Sequence, residues 1–160
     1  MTQEDKDLLL KDLCAKLPYK IMVKVNDTQG IMDEIDIPNE RIFVSNLNPF
    51  LYGGAKVSWF TLNGDKIYPY LRPMSSMTEE EAKEIAILHD IKDILSVKVT
   101  SDYIDVIVDD GVCSTERRTI WYDEIISSIK IFDYLNAHHF DYRGLIEKGL
   151  ALEAPKDMYN

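Results

Sequence analysis

From Tyr19 to Val25 the apolar residues Tyr19, Ile21, Val23 and Val25 alternate with Lys20, Met22 and Lys24, a period of two that suits a half-buried strand. Just before it, Leu9, Leu10, Leu13, Cys14 and Leu17 recur at helical spacing, Thr2 is a natural N-cap, and Pro18 stops the pattern. An amphipathic helix over residues 3–16 must therefore give way to sheet within a few residues. Turn chemistry follows in Asn26-Asp27-Thr28-Gln29-Gly30. Ile31, Ile35 and Ile37 then predict a second strand, and Arg41 to Ser45 a short third.

The stretch from Leu47 to Gly54 reads as loop despite Phe50 and Tyr52. Beyond it, Val57 to Leu62 and Lys66 to Leu71 flank Asn63-Gly64-Asp65, and Asn-Gly between apolar runs predicts a β-hairpin with a type I′ turn. Pro69 and Pro73 point to an edge strand. Thr78-x-x-Glu81 is a capping box, with acids in the first turn of a helix that runs to about His89. Leu95, Val97 and Val99, then Tyr103 to Val108, predict a second hairpin turning at Ser101-Asp102, with a further strand over Arg117 to Trp121. Ile125, Ile126, Ile129, Phe132 and Leu135 predict the longest helix, from Asp123 to about His138. Asp141 is expected to cap a short helix closed by Gly149, and the tail from Glu153 to be loose or draped on the surface.

The expected fold class is α+β: an N-terminal helix, a small antiparallel meander or barrel-like sheet, then helix, β-hairpin and C-terminal helices. No linker divides the chain, so residues 1–160 are expected to form a single domain, or two lobes over 1–75 and 76–160.

Charge narrows the partners. The 160 residues carry 28 acids against 18 bases, a net charge of -10. Residues 1–80 contribute -3 and residues 81–160 contribute -7. A phosphate backbone is bound through clustered Lys and Arg, and the longest basic run is Arg117-Arg118, so non-specific nucleic-acid binding is disfavoured. The start of the chain is acidic where a secretory signal is basic, and no apolar stretch nears the roughly 20 residues that span a bilayer. A cytoplasmic protein without a membrane partner is expected. Cys14 and Cys113, far apart and in no C-x-x-C pair, are expected as free thiols, with Cys14 a buried structural one.

Three blocks stand out together. They are Leu9-Leu10-Lys11-Asp12-Leu13-Cys14-Ala15-Lys16-Leu17-Pro18-Tyr19, Pro69-Tyr70-Leu71-Arg72-Pro73-Met74-Ser75-Ser76-Met77-Thr78-Glu79-Glu80-Glu81, and the run from Tyr134-Leu135-Asn136-Ala137-His138-His139-Phe140-Asp141 through Tyr142-Arg143-Gly144-Leu145-Ile146-Glu147-Lys148-Gly149 to Leu150-Ala151-Leu152-Glu153-Ala154-Pro155. Together they resemble a family of small proteins of gut-type bacterial genomes, found in prophage-like and other mobile neighbourhoods. The resemblance covers roughly a third of the chain. It implies an accessory protein of bacterial or phage origin acting in the cytoplasm, and it implies no activity, cofactor or catalytic residue.

The residues themselves offer three candidate constellations. His138, His139 and Asp141 put two imidazoles and a carboxylate within four residues, and His89-Asp90 could add ligands for a metal-dependent hydrolase. Against this, a histidine at a helix C-terminus is favoured by the dipole alone, and Asp141 by capping. The aspartates Asp102, Asp105, Asp109 and Asp110 lack the spacing and closing glutamate of a calcium loop. Gly53-Gly54 reads as a turn. Nucleotide-binding glycine loops, the serine-hydrolase elbow and the zincin helix are all missing from the sequence. The aromatic group Phe50, Tyr52, Trp59, Phe60, Tyr68 and Tyr70 with Arg72 is the third. Trp59 and Phe60 have opposite parity and cannot enter one core together, so Trp59, Phe60, Tyr68, Tyr70 and Arg72 are the candidate partner-binding residues. The function expected first is a non-enzymatic protein-interaction module that needs no cofactor and binds a protein partner. The metal-dependent hydrolase comes second, and an acidic mimic of nucleic acid third.

Overall fold

A computed structural model describes residues 1–47, 56–112 and 114–159. Phe50, Tyr52, Gly53, Gly54 and Cys113 lie outside the described residues. The class is α+β. Contacts divide the chain into two compact units, one made of Met1–Leu71 with Arg143–Asn160 and the other of Arg72–Tyr142. The C-terminal segment thus belongs with the first unit, and the second is an insertion.

Unit 1 opens with α1 (Gln3–Lys16), capped by a Thr2–Asp5 box in which side chain and backbone bond reciprocally. A 3₁₀ turn over Leu17–Tyr19 ends it, and Lys20 takes the left-handed conformation that redirects the chain. Four strands then meander: β1 (Met22–Val25), β2 (Thr28–Asp36), β3 (Arg41–Ser45) and β4 (Ser58–Thr61). Here Val25 already faces Thr28. Only Asn26 and Asp27 turn, and Thr28, Gln29 and Gly30 belong to the strand. Gly30 is required there because a Cβ would stand 2.2 Å from the Ser45 carbonyl oxygen and 2.6 Å from Val44 Cγ1.

The predicted Asn63-Gly64 hairpin does not form. β4 pairs with β3, whereas β5 (Ile67–Leu71) pairs with β1 on the far side of the sheet, and a two-residue β9 (Leu152–Glu153) adds in parallel beyond it. Neither Asn63 nor Gly64 takes the positive φ that a type I′ turn needs. The segment closes instead as a tight turn, with the Asp65 and Gly64 amides donating to the Thr61 carbonyl. Asp65 fixes it by accepting from the Thr61 amide at 2.8 Å and from Asn26 Nδ2 at 2.9 Å. Residues folded into such a turn cannot also span the roughly 19 Å that separates strands four places apart in a flat sheet at about 4.8 Å spacing, so the sheet must curl into a barrel-like form. Inside it Val23, Val25, Met32, Ile42, Val44, Phe60 and Leu71 pack with Leu9 and Leu13 of α1.

β5 is not the edge strand its prolines suggest. β9 pairs only with Tyr70 and Leu71, which leaves Pro69 with β1 alone and makes its missing N–H tolerable. The tail is not loose either. The Tyr159 hydroxyl donates to the Tyr70 carbonyl at 2.8 Å and accepts from the Met22 amide at 3.2 Å, so it takes the place of a ladder bond where β5 leaves β1. Between residues 141 and 150 the chain makes turns rather than the expected helix. Gly144 and Gly149 both have a φ of 68°, and the Leu150 amide closes on the Leu145 carbonyl.

Unit 2 holds α2 (Glu79–Leu88), then a three-stranded antiparallel meander of β6 (Ile94–Val99), β7 (Tyr103–Asp109) and β8 (Thr115–Trp121), and finally α3 (Ile129–Ala137). The Thr78–Glu81 box forms as the sequence predicts. α3 is the shortest of the three α-helices, not the longest, because Ser128 caps it through the Ile131 amide; Ile125 is buried ahead of it and Ile129 stays exposed. The core joins Ala82, Ile85 and Ala86 of α2, Ile104, Val106 and Val108 of β7, and Ile131 and Leu135 of α3.

Gly30→Ala should destabilise unit 1 by about 1–3 kcal/mol, the usual cost of overpacking. Urea unfolding followed by Trp59 fluorescence, in a Trp121→Phe background that leaves one indole in unit 1, measures it.

Candidate functional site

The charged cluster of unit 2 is built on the N-terminal turn of α2. Glu81, third residue of that helix, reaches back to the Thr78 amide at 2.8 Å. The Arg72 guanidinium grips its two oxygens as a fork, at 2.7 and 2.8 Å. Arg72 also lies 4.3 Å from the centroid of the Phe140 ring and donates to the Ser76 carbonyl. His138, the residue after α3, completes the group with Nδ1 3.1 Å from Glu81 Oε1. Its ring stacks on Tyr134 at 4.2 Å. Burial pushes the Glu81 carboxyl up, but the Arg72 fork, the Thr78 amide and His138 outweigh it and hold the group at about 2.

The candidate metal ligands are dispersed among other partners. His89 Nδ1 meets the Ser127 hydroxyl at 3.2 Å, and burial holds its imidazole below the ordinary value despite a bond to the Ile125 backbone. Asp90 and His139 both adopt positive φ, where the chain turns out of α2 and α3. The His139 carbonyl accepts from the Arg72 amide, and the Arg72 carbonyl accepts from the Asp141 amide. His139 and Asp141 are buried at this crossing, and the short helix that Asp141 was expected to cap does not form. Among the described residues no group of three His, Cys, Asp or Glu side chains could hold a metal ion.

The aspartates of the second hairpin serve its turns. Asp110 accepts from the Val112 and Ser114 amides and the Ser114 hydroxyl, and Asp109 from the Gly111 amide. Asp102 accepts from the Ser101 hydroxyl. Asp105 is buried rather than solvated, under an ion pair with Arg117. That sheet face carries both signs of charge.

The aromatic candidates divide by parity as expected. Phe60 is buried, and Trp59, 40% exposed, points out of the sheet. Phe43, opposite it on β3, sets its ring 5.2 Å away, and the Arg41 guanidinium sits 5.0 Å from the indole centroid. Arg41 is itself held by Asp36. Tyr68 and Tyr70 are half-buried on β5, with three strands between them and β4 in the sheet order. Arg72 belongs to unit 2 and is committed to Glu81. Phe43 and Arg41 were missed in the sequence because their contact with Trp59 depends on the β3–β4 register. Cys14 is half-buried on α1, and desolvation raises its thiol pKa.

No family model, curated protein or solved structure matches the chain. Among the described residues no helix is long and apolar enough to cross a membrane.

Glu81→Gln should destabilise unit 2 at pH 7. Since folding lowers the Glu81 pKa from the ordinary 4.5 to about 2, the charge contributes stability above about pH 4.5 that is lost as pH falls through 2. Urea midpoints of the two proteins, read from Trp121 in a Trp59→Phe background, should converge across that window.

Proposed function

We propose that the chain is a non-enzymatic protein-interaction module that binds another protein through the outer face of β3 and β4. The observation that carries this reading is Trp59. A large aromatic ring stands out of the sheet, steadied on one side by Phe43 and overlain by the Arg41 cation. Tryptophan and arginine are both enriched among the residues that dominate binding energy at interfaces. The Trp59 indole is held in place before any partner arrives, so little side-chain entropy remains to be lost on association.

The chemistry of the other clusters agrees with this choice. Glu81 is fully engaged by Arg72, Thr78 and His138, and the hairpin aspartates by turn amides. These are structural uses of charge. The three sequence blocks and their likeness to small proteins of mobile bacterial elements support an accessory factor acting in the cytoplasm.

The test is comparative retention by the tagged full-length chain in a bacterial lysate. Trp59→Ala and Arg41→Ala should each lose the same proteins, while Trp121→Ala, exposed in the other unit, keeps them. Identical sets from all three variants would sink the reading.

A further inference from the structure

A second surface, in unit 2 and independent of Trp59, has the make-up of a peptide groove. α2 and β6 border a cleft of about 320 Å³, lined by Glu79, Glu80 and Lys83 from the helix and by Ile94, Leu95, Ser96 and Val97 from the strand. Leu95 is 58% exposed there. A β-bulge between Ile94 and Ser96 interrupts the pairing with β7, after which Ser96 to Val99 run in regular register. Among the described residues β6 pairs with no strand but β7. Its outer edge is therefore a row of backbone donors and acceptors beside an apolar floor and a helix wall.

Charge selects the occupant. Unit 2 contains 15 acids against 7 bases, whereas unit 1 contains 13 against 11, so nearly all of the net charge lies in the inserted unit. Its three arginines are already paired, Arg72 with Glu81, Arg117 with Asp105 and Arg118 with Glu116. The cleft is lined by one lysine, Lys83, and by two carboxylates, Glu79 and Glu80. A second copy docking edge to edge would bring two strongly negative units together, and nucleic acid is repelled outright. The opposite edge, β8, carries Glu116, Arg117 and Arg118 in succession, the charged pattern that keeps a strand edge from pairing.

We infer that the α2–β6 groove binds an extended, basic segment of a partner protein as an added strand on β6. Main-chain bonds to Ser96–Val99 supply affinity, apolar side chains of the segment settle on Leu95 and Val97, and its Lys or Arg residues meet Glu79 and Glu80. First-turn acids also favour the helix dipole. That role alone accounts for neither the exposed Leu95 nor the open strand edge beside them.

The probe is a ten-residue peptide alternating valine and lysine, titrated into the full chain while backbone amide resonances are followed. Expected are shifts centred on Ser96–Val99 and binding that weakens as salt is raised. The same peptide N-methylated at alternate residues should bind about tenfold more weakly or worse, since the ladder bonds are lost. Glu79→Gln with Glu80→Gln, a change that keeps good helix formers, should weaken binding about 3- to 10-fold. Trp59→Ala should bind like the parent, so failure at the other face is read separately. No binding, equal binding of the N-methylated peptide, or shifts centred on Thr115–Trp121 would overturn the inference.

Discussion

Unit 1 depends on a charge buried in its core. Lys16, at the end of α1, has no exposed surface, and neither does Asp12 one turn earlier; their side chains meet at 2.5 Å. Arg143 donates to the same Asp12 oxygen from the returning C-terminal segment. Ions taken out of water this completely persist only when matched by opposite charge and hydrogen bonds. The pairing thereby ties the first helix to a segment 131 residues away. It places Leu145, Leu150 and Ala151 against the same core as Leu9 and Leu13. Truncating one partner would leave another charge stranded, which costs far more than the pair itself is worth.

The same logic of committed polar groups runs through unit 2. A carboxylate gripped by an arginine fork, a backbone amide and a histidine is rigid and fully occupied, which suits a brace between α2 and the end of α3 better than a reacting group. The candidate binding features lie where large apolar side chains remain exposed: the indole of Trp59 in one unit and Leu95 beside α2 in the other.

Local signals in the sequence were legible wherever the determining contacts are local. The stripe of α1, the Thr78–Glu81 box and the Ile94 to Asp109 hairpin all rest on residues a few places apart, and all appear as expected. Asn63-Gly64 misled because hairpin preference is a statement about two central φ angles, and tertiary pairing set them otherwise. Once β5 joins β1, Asp65 is drawn to Asn26 and the Thr61 amide, and the turn follows the sheet. The tail was equally opaque: nothing near Tyr159 in the sequence announces that its hydroxyl bridges Met22 and Tyr70. Likewise His138 and His139 read as a cluster because they are adjacent along the chain, while His138 finds its partner in Glu81, 57 residues away.

The entry and exit of unit 2 run side by side. Arg72 bridges Phe140 in parallel, its amide and carbonyl bonded to His139 and Asp141, just as Tyr70 and Leu71 pair with Leu152 and Glu153 in unit 1. An insertion whose two ends already touch imposes almost no loop-closure cost on its host. Unit 1 is in this sense a continuous fold interrupted at a single seam, and evolution could exchange the inserted unit for another without redesigning either core.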